Sequence, residues 1–467
     1  MQVILIHPPS RSPQPVMPLG LACLAAYLER GNIPVTIVDA WAEGLDQVSL
    51  IRRLARIPGD PGIVGVTVMS PTAEEGFATV RTAKAARPAC RTIIGGTHPS
   101  ALPRECLESC PELDFVAVGE GEKLLQALVN ELGSRHPALD AILGLGYRQT
   151  GLTRVNGRAE PLRNLDELPF PAYHLLPMKR YRMHPPYRLF RKCATLMTSR
   201  GCPYDCSYCT KSVSGRSFRW QSPERMFEDM ERIHASEGIR QFHFYDDDFP
   251  LPRTRLHEFC RLLRDSGRRF AWSCVARVDH VDPELLADMR RAGCWLISYG
   301  IESGSQAILD AAGKGFSVDQ IRDAFRWTRA AGIRPLGYVM AGLPGETRET
   351  LEATVRLVRE LDPDFVSWSI TALYPGSRLY DAYHAPTVIG GEAASSLSPF
   401  AHGHVELYRG EILREQLLER VGKAYREFYF RPAFLLRHLR NLRTLTEALS
   451  YLQTVVQYCR WRIGTGA

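Results

Sequence analysis

The chain has 467 residues, 45% of them hydrophobic and 23% charged, with a formal net charge of +7. That length exceeds one ordinary core and implies two or three domains. Basic and acidic residues alternate along most of it, so the charge singles out no anionic partner, and no run of about 18 uncharged apolar residues could span a bilayer. The opening MQVILIHPPS lacks a basic leader and breaks at Pro8-Pro9, which reads as the first strand of a cytoplasmic protein. Up to residue 140, β-branched runs at 2-6, 35-39, 63-68, 91-96 and 114-119 alternate with helical patterns, the signature of a doubly wound, Rossmann-like parallel sheet. Ligands of such sheets bind over the strand C-termini, so the loops HPPSR, VMSPT, GGTHPS and GEGE are expected to line one crevice.

Residues 141-192 lose this periodicity and, being rich in Pro, Leu and aromatics, read as an ordered linker. From 193 to 385 the alternation resumes, with strands expected at 194-199, 241-248, 269-277, 294-302, 334-342 and 365-375. Six βα units fit a partial (β/α)6 barrel of the TIM type, with its chemistry at the strand C-termini. Residues 386-467 read as a helical cap. Interleaved Phe428, Tyr429, Phe430, Phe434, Leu435 and Leu436 would pack on the barrel, while Arg426, Arg431, Arg437, Arg440, Arg443, Arg460 and Arg462 leave peripheral membrane contact as the alternative.

Twelve cysteines are scattered through the chain except in RGCPYDCSYCT, where Cys202, Cys206 and Cys209 follow the first barrel strand with C-x-x-x-C-x-x-C spacing. A structural zinc site or a closed iron-sulfur cluster normally takes four protein ligands. Three thiolates on a 4Fe-4S cluster leave one iron open. A zinc site would need Cys193, His174 or His184 as the fourth ligand, and Cys193 lies across the strand.

The run, with Tyr208 before its third Cys, resembles the radical S-adenosylmethionine (SAM) superfamily. FYDDDF, ARVD, YGIESGSQ, MAGLPGET and YPGSRLY resemble that family's successive strand-end motifs, in order. The resemblance implies SAM chelated at the open iron and cleaved by one electron to a 5'-deoxyadenosyl radical. It places Asp246 and Asp247 near the SAM amine, Arg277 and Glu302 near its carboxylate and ribose, and Gly342 at the adenine. An external electron donor of the flavodoxin or ferredoxin type is implied with it. The Asp triple could instead be a solvated turn or a strand cap, and Arg277 could pair with Asp279 at the surface.

The N-terminal region resembles the cobalamin-binding domain of one branch of this superfamily, on HPPS, PLGLACLAAYLERGNIPVTIVDA, VGVTVMS, GGTHPS and FVAVGEGE. By that likeness Pro8, Pro9, Thr67, Met69, Ser70, Gly95, Gly96, His98, Pro99, Gly119, Glu120 and Glu122 would contact cobalamin. The older D-x-H-x-x-G motif is absent, since Trp41 stands where its histidine would be. Cobalt would then lack a histidine, with residues 69-72 as its floor.

The combination implies an enzyme transferring a methyl group from methylcobalamin to an unactivated carbon of a small molecule. The alternative keeps the cofactors and gives ring formation, ring contraction or oxidation. An RNA methylthiotransferase is disfavoured, because Cys23, Cys90, Cys106 and Cys110 occupy helix-like or loop positions and the C-terminus is helical, so no nucleic acid is expected. A cobalamin sensor would not need the cysteine run.

Overall fold

The computed structural model describes the chain except residues 11-14, 60, 184-186, 384-409, 433, 435, 437-443, 446-447 and 450-467. The N-terminal sheet contains β1 (Gln2–His7), β2 (Val35–Asp39), β3 (Pro61–Thr67), β4 (Arg91–Gly95) and β5 (Phe115–Ala117), in spatial order β2-β1-β3-β4-β5 and all parallel. Alternation of side chains along each strand gives two dry faces. Val3 and Leu5 pack under the helices Leu19–Arg30 and Gly121–Leu132, whereas Ile4 and Ile6 pack with Leu50, Leu54 and Val80 of the helices Gln47–Ala55 and Ala73–Ala86.

The sheet continues where the sequence reads as linker. β6 (Leu145–Gln149) and β7 (Leu152–Val155) add an antiparallel hairpin beyond β5, so the sheet extends to Val155 and past the boundary expected at 140. Thr150 and Gly151 form its two-residue turn with φ of 50° and 80°, the left-handed geometry that matches strand twist. Tyr173 and Tyr181 are buried, and the Tyr173 hydroxyl donates to the Thr195 carbonyl (2.9 Å).

Six parallel strands form the second sheet: β8 (Ala194–Leu196), β11 (Gln241–Phe244), β12 (Ala271–Ala276), β13 (Cys294–Glu302), β14 (Arg334–Ala341) and β15 (Phe365–Ile370). Their spatial order follows the chain, with β8 at one edge and β15 at the other, as in a partial barrel. A short antiparallel pair, β9 (Ser199–Arg200) with β10 (Arg219–Trp220), brackets the cysteine loop.

The helix Arg414–Tyr429 covers the β15 edge and buries Leu417, Val421, Ala424 and Phe428. One turn apart, the hydroxyl of Tyr425 accepts from the Trp368 N–H (2.9 Å) and that of Tyr429 bonds both N–H and C=O of Val366 (3.0 and 2.8 Å). Two phenols thus satisfy backbone groups that an open strand edge would leave unpaired. Phe434 joins the buried set, Phe430 and Leu436 are exposed, and Arg431 pairs with Asp362 (2.6 Å). Leu435, Arg437, Arg440, Arg443, Arg460 and Arg462 lie outside the described residues, as do His184 and all of 386-409. No helix among the described residues is long and apolar enough to cross a membrane.

Candidate active site between the two sheets

A cavity of about 420 Å³ opens where the C-terminal ends of the two sheets face each other. From the N-terminal domain it is lined by Thr67, Gly95, Gly96, Gly119, Glu120 and Glu122, and from the barrel by Met197, Tyr245, Asp247 and Cys209 to Gly215. Leu19, Leu24, Leu125, Leu168 and Pro169 make the remaining wall largely apolar. Two of its lining residues, Gly95 and Gly96, present backbone alone. Gly95 has only the Ala117 methyl near its missing Cβ, at 3.6 Å, and Gly96, at φ 120°, leaves no room for a side chain because a Cβ would stand 2.4 Å from the Val68 carbonyl oxygen. A flat, mostly apolar macrocycle suits such a cradle, in which backbone lies where side chains would intrude.

Other expected corrin contacts lie off the cavity. Pro8 and Pro9 end β1 outside it, and Met69 is largely exposed. His98 and Pro99 turn away in the helix Thr97–Ala101, where the His98 Nδ1 meets the Ser70 Oγ at 3.2 Å and burial lowers the imidazole pKa. None of residues 69-72 lines this cavity. Glu120 and Glu122 do line it, but their carboxylates are engaged. Arg200 lies 2.6 Å from Glu122 and 3.5 Å from Glu120, and Arg219 lies 2.7 Å from Glu120, so both acids tie the domains together.

The cysteine loop is held from three sides. The Ser207 N–H donates to the Ala312 carbonyl (2.9 Å), the Leu379 N–H to the Ser207 carbonyl (2.8 Å), and the Arg378 guanidinium to the Asp205 carbonyl (2.7 Å). Cys202, Cys206 and Cys209 are free thiols, the first two half-buried and the third exposed. Although Cys209 reaches the surface, desolvation of its sulfur at the cavity rim, aided by the Asp247 carboxylate, pushes the thiol up to about 11, and iron bound there would favour the thiolate. Among the described residues no three His, Cys, Asp or Glu converge as ligands of a single ion would. Cys202, Cys206 and Cys209, all on this one loop, are the residues that would hold a 4Fe-4S cluster. Cys193 is buried at the opposite, N-terminal end of β8.

Around the loop stand residues named from the sequence and others that were not. Arg277 is buried with its guanidinium 3.6 Å from the Tyr204 ring, and it bonds both oxygens of Asp279 (3.0 and 2.9 Å) and the Lys314 carbonyl (2.6 Å). The pairing with Asp279 therefore holds, but inside the protein. Glu302 adopts φ 59°, a costly conformation for a non-glycine residue that clusters at functional sites. It pairs with Lys314 (3.1 Å), and the phenol pKa of Tyr208 is raised by burial and then by the charge of Glu302.

The acidic triplet divides. Asp246 is buried away from the cavity and accepts from the Thr198 N–H (3.1 Å), the Thr198 hydroxyl (2.9 Å) and the Ser199 hydroxyl, so the strand-capping role is the one it fills. Asp248 accepts from the Arg277 N–H (3.1 Å) and pairs with His280 (2.5 Å). Only Asp247 faces the cavity, its carboxyl pKa raised by burial and by its two acidic neighbours, with Lys211 opposing. Gly342, at φ 81°, packs instead against the C-terminal helix, where a Cβ would stand 2.9 Å from Leu417. Its N–H donates to Glu346.

Lys211, Ser212, Lys314, Tyr204, Arg200 and Arg219 were missed from the sequence. Lys211 and Ser212 directly follow the cysteine run, a signal that was available. The arginines carried none, because their partners lie in another domain.

The radical SAM superfamily model matches residues 196–358 and the B12 binding domain model residues 10–129. An uncharacterised methyltransferase of Pyrococcus horikoshii is 31% identical over 94% of this chain and 95% of its own. An anaerobic magnesium-protoporphyrin IX monomethyl ester cyclase of Rubrivivax gelatinosus is 28% identical over 93% and 78%. The radical S-adenosylmethionine methyltransferase TsrM of Kitasatospora setae, solved with cobalamin and a [4Fe-4S] cluster, shares the fold at a TM-score of 0.72 and 19% identity, covering 93% of this chain and 90% of that one. Two domain models in the right order and a relative similar from end to end establish that the chain belongs to the cobalamin-binding branch of the radical SAM superfamily.

Proposed function

We propose that the protein is a C-methyltransferase that holds cobalamin in the cavity between its two sheets and a 4Fe-4S cluster on Cys202, Cys206 and Cys209. In this division residues 1-155 bind the corrinoid, and the sheet from β8 to β15 binds cluster and SAM. The observation that carries the reading is one cavity walled by both glycine-rich strand ends and the segment that begins at Cys209. Bound there, the cofactors would supply a 5'-deoxyadenosyl radical and a transferable methyl group.

The chain contributes placement and exclusion of water. Asp247 offers an anion to the SAM amine, with Lys211 nearby to favour its ionised form. The Glu302–Lys314 pair stands beside Tyr208 of the cluster loop, and Arg277 supports the same loop through Tyr204. Leu19, Leu24, Leu125 and Leu168 keep the cavity wall apolar. The substrate is a small molecule, and reduction comes from an external flavodoxin- or ferredoxin-type protein.

The cyclase from Rubrivivax gelatinosus supports ring formation as a second reading. Anaerobic incubation with SAM, reductant, cobalamin and a fractionated small-molecule extract separates the two. Formation of both 5'-deoxyadenosine and S-adenosylhomocysteine supports methyl transfer. Deoxyadenosine alone with a consumed extract component supports cyclisation, and neither product sinks both.

A further inference from the structure

The segment 210-215, directly after Cys209, is the wall shared by the cavity and the cysteine loop, and its contacts run to both domains. The Ser212 hydroxyl donates to the Thr97 carbonyl (2.8 Å), at the end of β4. Arg158, just beyond β7, donates to the carbonyls of Val213 (2.9 Å) and Ser212, and lies 3.6 Å from where a Cβ on Gly119 would sit. On the barrel side Gly376 leaves space, since a Cβ there would stand 3.0 Å from the Thr210 hydroxyl and 3.5 Å from the Ser212 Cβ. The segment then returns to the start of the cysteine loop, where the Cys202 N–H donates to the Gly215 carbonyl (3.4 Å).

We infer that Arg158 and Ser212 are positioning residues that make this strap a coupling between the two cofactor sites, so that filling either site tightens binding at the other. The inference rests on the proposed cofactor sites. A strap fixed at Cys202 and Cys209 by a cluster presents an ordered wall to the cavity, and the ordering entropy is then no longer borne by the corrinoid. Linkage makes the effect reciprocal. The neutral carbonyls of Ser212 and Val213 are what Arg158 grips, both from one terminal guanidinium nitrogen that the rigid planar group aims at them, whereas a lysine's flexible stem leaves its ammonium unaimed.

Hydroxocobalamin is titrated into the full chain, cluster-free and after anaerobic reconstitution with iron and sulfide, and binding is followed by visible absorbance. The reconstituted wild type is expected to bind about tenfold more tightly, within the range of ordinary coupling. Arg158→Met should keep its iron while this ratio falls to about one, with Arg158→Lys and Ser212→Ala between the two. Equal affinities in the two wild-type forms, or an undiminished ratio in an iron-loaded Arg158→Met, would overturn the inference alone. Should Arg158→Met not fold, Ser212→Ala decides by the same ratio, since it removes one hydroxyl and leaves the backbone. No hydroxocobalamin binding by either wild-type form would overturn the corrinoid reading and this inference with it.

Discussion

Arg200 and Glu122 meet at 2.6 Å across the junction of the two domains, with side chains only 12% and 5% exposed. Arg219 adds a second contact, 2.7 Å from Glu120, that is an ion pair more than an aligned hydrogen bond, because that carboxylate oxygen has no hydrogen-bond partner. A pair this dry is costly to break, since the survivor is left as a buried charge. Arg200→Met should therefore destabilise the cluster-free chain by about 3–5 kcal/mol, and adding Glu122→Leu should restore much of that. Urea midpoints of the single and double variants check this. A single variant within about 1 kcal/mol of wild type would mean the junction is wetter than it looks.

Cys202→Ala, Cys206→Ala or Cys209→Ala should reduce iron after reconstitution from about four atoms per chain to almost none. Cys193→Ala should leave it unchanged, because that thiol is buried at the far end of β8. Iron and labile sulfide assays decide. Iron loss in the Cys193 variant would refute the three-ligand site.

The parts legible in the sequence were those written in local periodicity and spacing. All six barrel strands and the five parallel N-terminal strands fall where apolar runs predict them, because parallel strands of this kind are buried on both faces. The β6–β7 hairpin was missed although Thr150-Gly151 between alternating residues is a hairpin signal, since neighbouring prolines and leucines obscured it. Motif order found the right loops but could not divide the three acids of FYDDDF, of which only Asp247 lines the cavity. The roles of Glu120, Glu122 and Arg158 depend on residues 40 to 100 positions away, and no local pattern encodes those.

Neither His7 nor His98 lines the cavity. His7 is drawn to Asp39 at 3.1 Å, and His98 to Ser70. The Co(II) EPR spectrum of bound cobalamin should accordingly lack splitting from a protein imidazole, and His98→Ala should not alter it. A nitrogen pattern that disappears in either histidine variant would contradict the geometry.

Glu346 is buried below the Gly342 loop, and burial pushes its carboxyl up to about 7. An acid whose folded pKa is raised binds its proton more tightly when folded. Its favourable contribution is full below about pH 4.5 and is lost as pH rises through about 7. Glu346→Gln keeps an acceptor for the Gly342 N–H and does not titrate. Relative to wild type it should gain stability across that window, on the order of 3 kcal/mol at the upper end. Urea midpoints at the two ends of the window measure it, and parallel pH profiles would rule it out.

Cobalamin binding by Gly95→Phe tests most directly whether the space between the sheets is the corrinoid site. Gly95 lines the cavity with only the Ala117 methyl near its missing Cβ, so an aromatic ring there would fill the cavity without disturbing β4. The account predicts that the variant folds, takes up iron like wild type, and loses cobalamin on gel filtration under conditions where wild type retains about one per chain. Retention of cobalamin by a folded Gly95→Phe chain would contradict it.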